Sequence, residues 1–319
     1  MKRTNKKQKS SNYFWSQIKK QSHVKECFCK DKTCNSQIIS AHSIQNNRIL
    51  NKISHHGEVM CVKLGDGKAF MQKVGRKKAT TFTGFCHKHD GEIFKPIESQ
   101  YYLANNKEQN FLFAYRALAK EWHAKKFSVN AYQNGIKELK RIHGEKPEHL
   151  QVMLYGARCA VNQMESDRKI FNHALKTKNY DLIYSRLYTF HEEYHIAVSS
   201  TFNLIEILCK EEPSLGDKKY IYFTIFPQNG KTYILFSCLK KYRKHFSKLM
   251  NEPKNLSIEQ RKIFLSNIIA IHIENFVISP LSYARLTEDE KQSFKELYMY
   301  TLYQSSLPSK KLQKINLFK

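Results

Sequence analysis

Four cysteines and a histidine in the first hundred residues carry the densest metal-binding chemistry of the chain. Cys27, Cys29 and Cys34 sit in Cys27-Phe28-Cys29-Lys30-Asp31-Lys32-Thr33-Cys34, and Cys86 and His89 sit in Cys86-His87-Lys88-His89. Zinc takes about four soft or borderline ligands in a tetrahedron, usually as two close pairs that the fold brings together. A Cys-x-x-His step places both side chains on one turn at a helix start. Cys34, Cys86 and His89 are the expected ligands. The spacing does not choose between Cys27 and Cys29 for the fourth, and His87 is the alternative to His89. Clustering of this kind in a cytoplasmic chain reads as a metal site rather than a disulfide framework. Cys61, Cys159, Cys209 and Cys238 lie singly, mostly beside apolar residues, and read as buried thiols.

A second string has formal chemistry. His191-Glu192-Glu193-Tyr194-His195 matches His-Glu-x-x-His, which on a helix would put two imidazoles on one face beside a glutamate base, as in zinc peptidases. The β-like run after His195 would cut such a helix short, and no third ligand follows. A peptidase using His191, Glu192 and His195 is therefore the lesser alternative.

Around these groups the chain divides into four stretches: a basic lead-in over 1–20, a cysteine- and histidine-rich module over 21–100, a helical connector over 101–180, and an α+β C-terminal domain over 181–319. In the module, Val59–Leu64 and Ala69–Val74 read as strands joined by Gly65-Asp66-Gly67, since a hairpin turn needs the positive φ that glycine supplies. Phe111, Leu112, Tyr115, Leu118, Ala119 and Trp122 form one apolar stripe of a long helix, and a second amphipathic stretch runs from Ala157 to Lys176, with Val161, Met164, Phe171 and Leu175 on one face. Tyr220–Phe226 and Thr232–Phe236 are almost continuously apolar around Pro227-Gln228-Asn229-Gly230. They read as a hairpin buried on both faces in mid-sheet, with Ala197–Leu204 a neighbouring strand. Ser257 with Gln260 and Thr287 with Glu290 are capping boxes that open two closing helices. The fold class is α+β.

Lys+Arg number 54 against 28 Asp+Glu, a formal charge of +26. That excess favours a polyanionic partner, because each phosphate contact releases condensed counterions. With 41% apolar residues the chain is globular. No apolar run approaches the roughly 20 residues that span a bilayer, and no apolar segment follows the basic N-terminus, so the expectation is a cytoplasmic protein with no membrane partner. His55-His56 before Gly57 reads as a polar turn. Gly75-Arg76-Lys77-Lys78 and Lys240-Lys241-Tyr242-Arg243-Lys244-His245 are basic segments suited to phosphate contact, with Tyr242 placed to stack on a base.

Taken together, Cys34 leading into Ile38-Ile39-Ser40-Ala41-His42-Ser43-Ile44-Gln45-Asn46-Asn47, and later Thr83-Gly84-Phe85-Cys86-His87-Lys88-His89-Asp90, resemble the HNH, or ββα-metal, endonuclease family over about a quarter of the chain. In that pattern a zinc knuckle precedes a strand carrying histidine, and a closing helix opens with a Cys-x-x-Cys/His pair and a metal-binding residue. The resemblance implies a zinc-bound treble clef, with His42 as general base and Asp90 holding a catalytic Mg²⁺ or Mn²⁺. It implies a hydrolase of phosphodiester bonds in DNA or RNA, in a setting often associated with bacterial defence or mobile elements. The sequence departs from the pattern in three places. Ala41 stands where a second metal ligand is common, Thr83 falls on the middle Asn position, and the segment from His42 to Cys86 is long, so that His55, His56 or Asn47 are candidates for the missing ligands. A non-catalytic, zinc-stabilised nucleic-acid-binding protein is the alternative.

Overall fold

A computed structural model describes residues 13–34, 37–65, 68–144, 147–203, 219–303 and 314–319. The lead-in before Tyr13, Asp66 and Gly67 of the first turn, Leu204 and Cys209 lie outside them.

The chain is mixed α and β. A two-stranded sheet pairs β1 (Ile38–His42) with β4 (Thr81–Cys86), and β4 runs directly into α1 (His87–Ile93). The expected hairpin forms as β2 (Glu58–Gly65) and β3 (Lys68–Gly75), with Gly65 facing Lys68 in register. It does not stay with β1 and β4. Met60 of β2 pairs with Ile278 of β9 (Phe276–Ile278), and the hairpin becomes one edge of a seven-stranded antiparallel sheet ordered β3-β2-β9-β6-β7-β8-β5. The remaining strands are β5 (Ile183–Phe190), β6 (Ile196–Phe202), β7 (Ile221–Gln228) and β8 (Lys231–Leu239).

Near-continuous apolar sequence in β7 and β8 has a structural reason: both faces are covered. Tyr220, Tyr222 and Leu239 pack on the side of the long helices, whereas Ile221, Phe223, Ile225, Ile234, Phe236 and Cys238 pack against the C-terminal helices. The period of two survives as a choice between two cores rather than between core and water. Asn229 (φ 52°) and Gly230 (φ 73°) make the left-handed turn between the strands. As expected, β6 is the neighbour of β7.

The first long helix, α2 (Lys107–His143), buries the whole stripe from Phe111 to Trp122. The second, α3 (Glu148–Thr177), starts well before Ala157, and buries Met164 and Phe171, while Val161 and Leu175 are half-buried. Both capping boxes form: Gln260 N donates to Ser257 Oγ at 3.3 Å, and Glu290 N donates to Thr287 Oγ1 at 3.2 Å. Of the lone cysteines, Cys238 is buried, but Cys61 and Cys159 are only half-buried. Among the described residues no helix is long and apolar enough to cross a membrane.

His191–His195 is a correction to the peptidase alternative. The stretch is the irregular connection between β5 and β6, so the helical step that would align His191 and His195 is not formed. Glu192 instead accepts from the Tyr194 hydroxyl at 2.5 Å, and Glu193 pairs with Lys52 at 2.5 Å.

Candidate metal centre and the His42–Asp90 site

The segment around Cys27 and Cys34 folds onto β4 because β4 carries a bulge. Ile39 faces Phe85 and Ala41 faces Phe82, so Thr83 and Gly84 together oppose Ser40. The bulge turns carbonyls outward: Phe28 N donates to Gly84 O at 2.8 Å and Glu26 N to Thr83 O at 3.3 Å. Glycine is required there, since a Cβ on Gly84 would lie 2.3 Å from Cε2 of Phe82. Phe28 is fully buried, with its ring against Phe85, Tyr115 and Trp122.

The long helices grip this loop from its other side. Arg168 Nε donates to Phe28 O at 2.7 Å, and Asn172 Nδ2 donates to Phe28 O and Cys29 O at 3.0 and 3.1 Å. Asn172 is itself held by the Tyr115 hydroxyl at 2.6 Å.

Cys27, Cys34, Cys86 and His89 are thereby gathered so that their ligand atoms all lie within 4.8 Å of one another. Two thiolates on one tetrahedral zinc, each about 2.3 Å from the ion, sit roughly 3.7 Å apart, so this group could hold a metal and its donors suit structural zinc. Cys86 caps α1 and His89 lies in its first turn, as the Cys-x-x-His step requires. His89 Nδ1 is 3.3 Å from Sγ of both Cys27 and Cys86. Its Nε2 points the other way, 3.3 Å from Asp31 Oδ1 and 3.2 Å from Thr33 Oγ1. Such an acceptor on the far nitrogen fixes ring and tautomer and raises ligand basicity. Asp31 is held in turn by the hydroxyl and backbone N–H of Thr33, both at 2.8 Å, and these bonds keep its carboxyl below the usual range.

The four-residue group contains Cys27 and not Cys29. The Cys29 thiol lies 3.9 Å from Asp31 Oδ2 and joins Asp31 and His89 in a second, overlapping group. His87 is exposed and belongs to neither.

His42 ends β1, half-buried, with Nδ1 3.1 Å from Ala79 O. Burial lowers its pKa, with Arg116, Glu98 and Arg76 as its charged neighbours. Asp90 follows His89 on α1. Burial raises its carboxyl, and its charged neighbours are Arg116, Glu98 and His87. The two residues therefore share Arg116 and Glu98, a pair the sequence reading missed. Arg116 Nη2 donates to Glu98 Oε1 at 2.5 Å, and the guanidinium stands 3.9 Å from the centroid of the Phe94 ring. Among the described residues, neither His42 nor Asp90 belongs to a group of three His, Cys, Asp or Glu that could hold a metal.

Comparison with family models, with curated proteins and with solved structures finds no match.

Other residues singled out by sequence fall elsewhere. Thr83 does not serve as a middle Asn: its hydroxyl donates to Val24 O at 2.5 Å and lies 3.1 Å from His123 Nε2. His55 and His56 form a tight turn, with Glu58 bridged to His55 and positive φ at His56 and Gly57. Arg76 donates to Asn46 Oδ1 at 2.9 Å, which ties the basic loop back to the segment after His42. Tyr242 is half-buried, with the ammonium of Lys241 4.7 Å from its centroid and that of Lys219 5.9 Å away.

Proposed function

We propose that the chain is a metal-dependent nuclease of HNH-like, treble-clef type, hydrolysing phosphodiester bonds in DNA or RNA. The observation that carries this reading is the setting of His42. Its Nδ1 faces a backbone carbonyl, so the proton sits there and Nε2 keeps a free lone pair. Burial keeps the ring neutral near pH 7, the state in which it accepts a proton from an attacking water. The antiparallel β1–β4 pair running into α1, with two ion ligands at its start, supports the comparison with a ββα arrangement. Asp90 is the side chain that would hold Mg²⁺ or Mn²⁺, and such an ion supplies charge stabilisation at the scissile phosphate. Arg116 brings a guanidinium beside the same two residues, offset by its partner Glu98. Zinc on Cys27, Cys34, Cys86 and His89 would be structural. The charge of +26 would draw the polyanion in.

The test is cleavage of plasmid DNA and of RNA by the full chain with Mg²⁺ or Mn²⁺. Turnover that disappears in His42→Ala, with zinc content and circular dichroism unchanged, supports the proposal. One observation favours a second reading, a zinc-stabilised protein that binds nucleic acid without cutting it. Among the described residues neither His42 nor Asp90 belongs to a group of three His, Cys, Asp or Glu that could hold a catalytic ion. Salt-sensitive binding with substrate left intact under every metal would establish that reading instead.

A further inference from the structure

Away from the metal centre, a cavity of about 370 Å³ lies between α2, α3, the end of β6 and the residues just after the helix Ile258–His272. That volume is within the range of small-molecule sites. Its wall carries two side chains that are at least nine-tenths buried and have no hydrogen-bond partner among the described residues, Thr201 through Oγ1 and Tyr220 through its hydroxyl, each 4% exposed. Buried hydroxyls are ordinarily paired, and an unpaired one costs on the order of 1–3 kcal/mol.

The charges on the wall do not balance. Glu121 is buried and pairs with Lys125 at 3.0 Å, while Glu274 adds a second carboxylate at the exposed rim. Lys120 is within electrostatic reach of both glutamates, but its ammonium sits 5.4 Å from the Phe82 centroid and it does not line the cavity. Two carboxylates thus face one lining ammonium in a chain of net charge +26. Lys125 is already paired, so the lining offers an incoming anion no uncommitted ammonium among the described residues. A cation completes the pairing, and the aromatic side chains of Tyr220 and Tyr298 line the same space.

We infer that this cavity binds a small organic amine as its ammonium, with a carboxylate of the Glu121–Glu274 wall as counter-charge and Thr201 and Tyr220 as hydrogen-bonding groups. This inference does not depend on the nuclease reading.

The experiment is calorimetric titration of the full chain with putrescine, agmatine and phenethylamine, and with AMP as an anionic control. Saturable binding of at least one amine is expected, with Kd below about 1 mM. Glu121→Gln should weaken it at least tenfold. Because that change also strands Lys125, a second variant is needed. Gly156 is exposed at the rim, and beyond its chain neighbours and helix backbone no described atom lies within 4 Å of where its Cβ would be, so Gly156→Trp can project into the space without displacing the helix. Its circular dichroism should match the wild type while amine binding is lost. The inference is overturned if no amine binds, if Gly156→Trp binds as well as the wild type, or if AMP binds and the amines do not.

Discussion

Arg116 and Glu98 are joined at 2.5 Å, with the arginine 3% exposed, and this is the ion pair that His42 and Asp90 have in common. Removing one partner of a buried pair costs more than the pair contributes, because the other charge is left behind. Glu98 remains about one-third exposed, so the penalty is moderated. Arg116→Met should lower unfolding free energy in urea by about 1–3 kcal/mol. In the double variant with Glu98→Gln, part of that loss should return. Strict additivity of the two changes would show that the pair is not coupled.

The metal centre predicts an asymmetry between neighbouring cysteines. Cys27→Ser should lower zinc content, measured by elemental analysis of purified protein, whereas Cys29→Ser should leave it near one ion per chain. Equal loss in both would place Cys29 among the ligands.

With an ion held by Cys27, Cys34, Cys86 and His89, Asp31 would act on it through His89. Asp31→Asn keeps the shape but weakens the acceptor on Nε2, and zinc affinity in a competition titration with a chelator should fall roughly 10–100-fold. An affinity unchanged by the substitution would remove Asp31 from the site.

Gly84→Ala puts a methyl into the ring of Phe82, which is itself wedged against Phe85 and His123. A loss of about 1–3 kcal/mol is expected, together with weaker zinc retention, because the same bulge receives the backbone of Phe28. Thermal melts with and without chelator separate these two effects.

Burial alone lowers the pKa of His272 to about 4, and its ring stacks on Phe202 at 4.8 Å. Near pH 6 the unfolded chain takes up a proton there and the folded chain does not, so the unfolded state gains as pH falls. Stability is complete above the ordinary histidine range and is lost as pH drops from about 6.5 towards 4. His123, lowered to about 4 chiefly by burial, contributes in the same window. Denaturant midpoints should fall through this range, less steeply in His272→Phe. An identical slope in that variant would assign the effect to other groups.

The group that could hold a metal was legible because its pattern repeats at short range: a Cys-x-x-His step puts two side chains on one helical turn, whatever surrounds it. The choice of Cys27 over Cys29 was not, since it depends on which side chain of an extended loop faces inward once Phe28 is seated between the helices. Arg116 was hidden in an apolar stripe, although a charge at a core position signals a buried partner. That its partner is Glu98, in the short helical turn after α1, follows only from how α2 packs. The His-Glu-x-x-His string failed because the pattern specifies spacing and not conformation, and β-forming sequence on both sides determined the latter. The hairpin from Glu58 to Gly75 was read correctly as strands, but strand propensity carries no information about which sheet receives them.

Pairing between Met60 and Ile278 sets an order on biosynthesis. A ribosome delivers β2 and β3 long before β9 exists, so one edge of that hairpin must wait, uncovered, for the far end of the chain. A truncated product lacking β9 would keep Cys27, Cys34, Cys86 and His89 yet present an open strand edge, and its expected fate is self-association.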